Sequence, residues 1–237
     1  MLLDRLIQRF KPLIRFISSR SVSLWMEEIF WARWLKITAI ENPDLFRERV
    51  DPNEPLSEYH RRFIDFLPHH RIRILDVGAG PLTILGKKHP FKELDIVATD
   101  ILAEQYAKIL AKRNIRPIIK TIYADADNLT AVFPPASFDY VFACNSIDHC
   151  ANPVRSILEM LAVVKPGCYV TLMHGHNEAE KACYAGLHQW NFDAEGSCFI
   201  IWNKSSRLNM TNQLAQLAEV ECRVESGFTH AHIRKHA

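Results

Sequence analysis

Three aspartates, Asp76, Asp100 and Asp125, each close an apolar run, and two later runs of the same kind lead into the histidine-bearing loops NSIDH and LMHGH. A carboxylate at a strand end can accept hydrogen bonds from both hydroxyls of a ribose or from an adenine amine, or face an ammonium group. An imidazole, with an ordinary pKa of ~6.5, can take a proton from a hydroxyl near neutral pH. Singly, each aspartate reads equally well as a helix cap or a solvated loop residue. Three at successive strand ends point to one ligand.

The stretch ILDVGAGPLT carries the first aspartate into a glycine turn. Gly78 and Gly80 let the backbone turn sharply and approach a ligand with no side chain in the way. A dinucleotide site asks for GxGxxG, its pyrophosphate on the start of the next helix, but here Thr83 stands where the third glycine would be. A glycine pair alone leaves a dinucleotide site or a purely structural turn open. Asp100, about 20 residues after the turn, is placed for a ribose of an adenosine-type ligand.

Elements must hold these groups in place. The pattern predicts strands at Arg73–Val77, Asp95–Thr99, Ile118–Tyr123, Phe138–Cys144 and Cys168–His174. Helices are expected at Leu82–Lys88, Ala103–Arg113, Val154–Val164 and Asn209–Ala218, with Val220–Glu225 and Thr229–Lys235 as a closing antiparallel pair. Alternation of this kind gives an α/β fold: a doubly wound, mostly parallel, seven-stranded sheet. Residues 71–237 form this domain. Residues 1–70 read as a helical cap before it, with the tryptophan-bearing helix Leu24–Ile40, a proline-broken stretch, and a short helix in HRRFIDFLPHH.

The stretches ILDVGAGPLT, DIVATD, ADADNL, SFDYVFACNSIDHCANP and LAVVKPGCYVTL, in this order, resemble the class I S-adenosylmethionine-dependent methyltransferases, in particular the small-molecule group that includes ubiquinone-type and sugar methyltransferases. The resemblance covers roughly residues 71–172 and implies a Rossmann-like fold with S-adenosylmethionine as cofactor. It implies a methionine-end contact around Asp76, Gly78, Ala79 and Gly80. Ribose binding falls to Asp100, with Ile101 beside the adenine, and the adenine amine to Asp125 and Ala126. Asn145 would lie along the methionine part. Ala124, where many relatives carry glycine, and Pro81 with Leu82 depart from the family's pattern.

Methyl transfer from a sulfonium is an in-line displacement that needs alignment and, for a hydroxyl acceptor, a base. His149 is the first candidate, with Asp148 beside it as an orienting group or a turn residue; His174 and His176 stand at the same edge as further catalytic candidates. The segment after them, with Asn177, Glu178, Tyr184, His188, Gln189, Trp190 and Asn191, combines aromatic faces with amide and imidazole groups, as a sugar ring requires. An interface or a packed loop has the same composition. Tyr184, His188 and Trp190, with Asp148 and His149, are thus the expected acceptor-binding residues. The favoured acceptor is the hydroxyl of a saccharide or related polar small molecule, a glycan modification. Carbon or nitrogen acceptors, or a non-catalytic cofactor-binding scaffold, are the alternatives.

Composition narrows the classes further. The chain has 237 residues, 48% hydrophobic and 24% charged, and a net charge of +2, so bulk nucleic-acid binding is not expected. The six cysteines lack CxxC spacing, so reduced thiols and a cytoplasmic setting are expected, with no thiol catalysis. No HExxH or paired-carboxylate spacing is present, and no metal is expected. The run MLLDRLIQRFKPLIRFISSR, with five basic residues and one acid, reads as a helix packed on its own domain or lying on an anionic membrane, and as neither an anchor nor a signal peptide.

Overall fold

The computed structural model describes residues 20–237; the basic amino-terminal run, apart from Arg20, lies outside them. Helix α1 (Arg20–Glu41) ends where Asn42 caps α2 (Pro43–Val50), its Oδ1 accepting from the Leu45 amide at 3.3 Å. Asparagine followed by proline is a strong helix start, because proline needs no amide partner in the first turn. A single turn of helix, α3 (Glu58–Arg61), follows, and the rest of HRRFIDFLPHH is turns.

The strands β1 (Arg71–Val77), β2 (Glu93–Thr99), β3 (Phe138–Cys144) and β4 (Val164–Gly175) are parallel. Between them lie α4 (Ala103–Lys112) and α5 (Pro153–Val163), the latter capped by Asn152. After β4 come α6 (Glu178–Lys181), a hairpin β5 (Asn191–Glu195) and β6 (Cys198–Trp202), the short β7 (Arg207–Asn209), and α7 (Met210–Leu214). The antiparallel pair β8 (Ala218–Glu225) and β9 (Phe228–Lys235) closes the sheet beside β4. The order is β2-β1-β3-β4-β9-β8, with β5-β6-β7 as a separate sheet. Phe138, Tyr140, Val141, Phe142 and Ala143 of the central strand are all fully buried, because both faces of the sheet are covered.

The α/β fold with a helical region before the sheet is as expected, but several elements differ. The main sheet has six strands rather than seven: Ile118–Tyr123 makes only a bridge, in which the Ile122 amide donates to the Ala98 carbonyl. Leu82–Lys88 is not a helix. Its backbone pairs with an earlier segment instead, Lys87 and Lys88 donating to the Glu54 carbonyl and Leu56 to that of Lys88. Gly86 permits this contact, since a Cβ there would lie 2.0 Å from the Pro55 oxygen. The helix at Asn209–Ala218 shrinks to Met210–Leu214, and the small three-stranded sheet was not expected at all. No described helix is long and apolar enough to cross a membrane.

Candidate functional site

The chain leaves β1 toward β2 on one side and returns to β3 on the other, so a crevice opens beyond the carboxyl ends of β1 and β3. A cavity of about 540 Å³ occupies it, within the ~300–1,000 Å³ span of small-molecule sites. Leu24, Glu27, Phe30 and Trp31 of α1 form one wall, which places the helical region directly over the strand ends.

The glycine turn is shaped by its neighbours. Gly78 has a φ of +68°, and a Cβ there would lie 2.3 Å from that of Ser146, whose hydroxyl donates to the Val77 carbonyl at 2.9 Å. Gly80 has a φ of +65°, and a Cβ there would sit 2.7 Å from the Trp31 ring. Both positions therefore need glycine for conformation and for space.

Asp76 is buried beneath the turn, and Thr83 donates its hydroxyl to Asp76 Oδ2 at 2.5 Å. Burial pushes the Asp76 carboxyl up to about 6, against the Thr83 hydrogen bond and the nearby charge of Arg49. Arg49, on α2, also lines the cavity. Its Nη1 donates to the Leu82 carbonyl at 2.7 Å, its guanidinium stacks 4.6 Å from the Trp34 ring centre, and its buried Nε has no partner among the described residues. Sequence reasoning missed Arg49, because it lies in the proline-broken stretch where no pattern marks a ligand contact.

Asp100 accepts from the amides of Gly80 at 3.2 Å and Leu102 at 2.9 Å, tying the turn to the end of β2. Burial pushes its carboxyl up to about 6 despite those two bonds. Asp125 accepts from the Asp127 amide at 3.0 Å. Ala79, Ile101, Asp125 and Ala126 share the cavity wall with Asp76, Gly78 and Asp100, whereas Gly80 is not on it. Asn145 also lines the cavity, its Oδ1 accepting from the Gly175 amide at 2.8 Å and joining the ends of β3 and β4.

The histidines separate into two groups. His174 is fully buried and does not reach the cavity wall. Its Nε2 accepts from the amides of Ser146 at 3.2 Å and Ile147 at 2.9 Å, so the ring holds the loop that carries Asp148 and His149. Burial lowers its pKa to about 4. His176 is also off the wall, paired with Asp193 at 2.8 Å beside the small sheet.

Asp148, His149 and His188 line the cavity together. His188 Nδ1 lies 3.2 Å from Asp148 Oδ2, His149 Nε2 lies 3.1 Å from His188 Nδ1, and His149 Nε2 lies 3.4 Å from Asp148 Oδ2. Burial alone would raise the Asp148 carboxyl, but the charge of His149 and the hydrogen bond to His188 hold it down at about 2. The same bond to Asp148 raises His188 above the ordinary imidazole value.

Of the other expected acceptor-binding residues, Tyr184 and Trp190 stay off the wall. The Tyr184 hydroxyl accepts from Asn191 Nδ2 at 3.1 Å, and its ring packs under the Lys204 ammonium at 4.2 Å. Trp190 packs on the main core. From that segment Glu178, Leu187 and His188 do face the cavity. Cys144 and Cys150 line it as well, and burial pushes both thiols up to about 12, which keeps them protonated and poorly nucleophilic at neutral pH.

Residues 75–172 match the family described as a methyltransferase domain. The 2-methyl-6-phytyl-1,4-hydroquinone methyltransferase 1, chloroplastic, of Oryza sativa subsp. japonica is 29% identical over 169 residues, which cover 68% of this chain and 46% of the relative. The chain thus spans about half the length of that curated relative. Among solved structures, a Methanococcus maripaludis protein assigned as an S-adenosyl-L-methionine-dependent methyltransferase is similar with a TM-score of 0.52 and 13% identity, over 92% of this chain and 94% of that one. A chain of the Haloferax volcanii complex between the Trm112 methyltransferase activator and an assigned methyltransferase is similar with a TM-score of 0.53 and 11% identity, over 87% of this chain and 95% of that one. At these identities the two structures speak for the fold.

Proposed function

We propose that this chain, which has the class I S-adenosylmethionine-dependent methyltransferase fold, transfers a methyl group to a hydroxyl of a polar small molecule, a saccharide or a related polyol. One observation carries the reading: the Asp148, His149 and His188 group opens into the same cavity as Asp76, Asp100 and Asp125.

The residues present fit the cofactor. Asp76 beneath the turn, with Arg49 near it, offers opposite charges for the two ends of an amino acid. Asp100 and Asp125 offer carboxylate lone pairs beyond those their backbone bonds use. Gly78 keeps the wall free of a side chain. When bound, S-adenosylmethionine supplies a methyl group activated by its sulfonium.

The chain's own part is alignment and management of one proton. Leu24, Phe30 and Trp31 wall the cavity on its α1 side, and alignment of acceptor with methyl group is the larger share of catalysis in such displacements. As a hydroxyl attacks, charge builds on its oxygen. The imidazole of His149 is the general base in this reading, and Asp148 beside it stabilises the cation that results.

A second reading has specific support. The rice relative is named for a hydroquinone substrate, and Ile84, Leu187 and Phe228 add apolar surface to the cavity that suits an aromatic ring. There the acceptor is ring carbon beside a hydroxyl. A screen of glycosides, polyols, hydroquinones and amines with S-adenosylmethionine carrying a deuterated methyl group, read by mass spectrometry and NMR, separates the readings. A methyl ether on a sugar or polyol is the expected product. A methylated ring carbon supports the second reading, and cofactor binding without transfer to any acceptor contradicts both.

A further inference from the structure

We propose that Asp148, His149 and His188 form a binding site for one divalent transition-metal ion of the Zn²⁺ class, with its remaining coordination open to the cavity. That this ion holds the acceptor's oxygen rests on the methyl-transfer reading, and with the ion bound it, rather than His149, would favour the deprotonated hydroxyl, since a ligated Nε2 takes no proton; binding of the ion rests on neither.

The geometry of the three facing atoms is the first argument. Asp148 Oδ2, His149 Nε2 and His188 Nδ1 lie 3.1, 3.2 and 3.4 Å from one another. A tetrahedral ion with bonds of ~2.0–2.1 Å to N and O ligands separates its ligands by about 3.3–3.4 Å. The cluster therefore stands close to a metal-bound arrangement without rearrangement.

Hydrogen bonding cannot satisfy the same triangle. Asp148 is a carboxylate and accepts only. A single proton on His188 Nδ1 serves one edge well, and it leaves the His149 lone pair facing either that shared proton or the carboxylate. Protons on both ring nitrogens would face each other across 3.1 Å. One cation between the three satisfies every edge.

The surroundings are built to hold these atoms still. Asp148 is 3% exposed, and its other oxygen, Oδ1, is buried with no hydrogen-bond partner among the described residues. The loop carrying Asp148 and His149 is fixed by the His174 ring, which accepts from the Ser146 and Ile147 amides. The loop carrying His188 is fixed by Gln189, whose amide donates to the Tyr184 and Gly186 carbonyls at 2.9 Å. These bonds brace the two loops from which the ligating side chains extend. Two imidazoles and one carboxylate suit a borderline ion; Mg²⁺ and Ca²⁺ prefer oxygen throughout. Three protein ligands with an open position is the arrangement of catalytic rather than structural zinc.

The sequence conceals this site because Asp148 and His149 are adjacent while His188 arrives from a distant loop. The test is equilibrium titration of the full chain with Zn²⁺, in a Cys183→Ser background that removes the exposed thiol. One ion per chain is expected, with affinity at least 100-fold weaker in His188→Gln and in His149→Gln, and S-adenosylhomocysteine affinity changed less than threefold in both. Should those variants unfold, Co²⁺ bound to the Cys183→Ser chain decides by its visible spectrum, where intense tetrahedral bands without thiolate charge transfer are expected. No stoichiometric ion, equal affinity in the variants, or thiolate bands would overturn the site. Loss of cofactor binding with metal binding intact would instead count against the methyl-transfer reading.

Discussion

Thr83 donates its hydroxyl to Asp76 across 2.5 Å, and the same oxygen accepts from the Leu85 amide at 3.1 Å. The position where a dinucleotide site would carry its third glycine thus braces the buried carboxylate of the turn. Thr83→Val keeps the shape and removes the donor. It is expected to cost about 1–3 kcal/mol of stability, as loss of a partner does for a buried polar group, and to weaken S-adenosylhomocysteine binding. Urea unfolding and calorimetric titration check this; wild-type values in both would remove the brace from the account.

Gly80 and Trp31 make a second testable pair. Gly80→Ala places a methyl in the left-handed region and against the indole, which lies 2.7 Å from the new carbon. A loss of about 1–3 kcal/mol is expected from backbone strain together with the displaced ring. Combining it with Trp31→Ala should remove the steric part and leave about 1 kcal/mol from the backbone. Strict additivity of the two losses in urea unfolding would show that the ring does not rest on the turn.

Much of the site was legible because strand ends can be read locally. Asp76, Gly78, Asp100, Asp125 and Asn145 close apolar runs, and the structure brings all five to one cavity. What was hidden depends on distant partners. Leu82–Lys88 has a helical distribution of apolar residues, yet its amides pair with Glu54 from a segment about 30 residues earlier. Arg49 enters from α2, and His188 meets Asp148 across a loop, with no spacing to mark either. Composition also misled at Tyr184 and Trp190, whose aromatic surface is spent on packing rather than on the cavity.

His60 predicts how stability responds to acid. It is buried against the Tyr140 hydroxyl at 2.9 Å, and burial lowers its pKa to about 4. The unfolded chain binds this proton at about 6.5 and the folded chain does not. Its stabilising contribution is therefore complete above pH 6.5 and is lost progressively as pH falls from 6.5 to about 4. A shift from 6.5 to about 4 is worth about 3 kcal/mol. His60→Gln should flatten the pH dependence by roughly that amount relative to wild type, read as the difference between urea midpoints at pH 7.5 and 4.5. Parallel curves would contradict it.

Asp76 and Asp100 predict an acid limb for cofactor binding as well. Burial pushes both carboxyls up to about 6, so acid neutralises them before an ordinary aspartate. Each loses about 90% of its charge one pH unit below its pKa. S-adenosylmethionine affinity is expected to fall at least tenfold between pH 7.5 and 5. Calorimetry at the two values reads this directly, and a constant affinity would contradict the role of these carboxylates.

The central claim is that the cavity under α1 seats S-adenosylmethionine through the ends of β1 and β2. Calorimetric titration of the full 237-residue chain with S-adenosylhomocysteine tests it most directly, in wild type and in Asp100→Asn. One saturable site is predicted, at least tenfold weaker in the variant while its urea midpoint stays close to wild type. Absence of saturable binding, or the same dissociation constant in both proteins, would contradict the account.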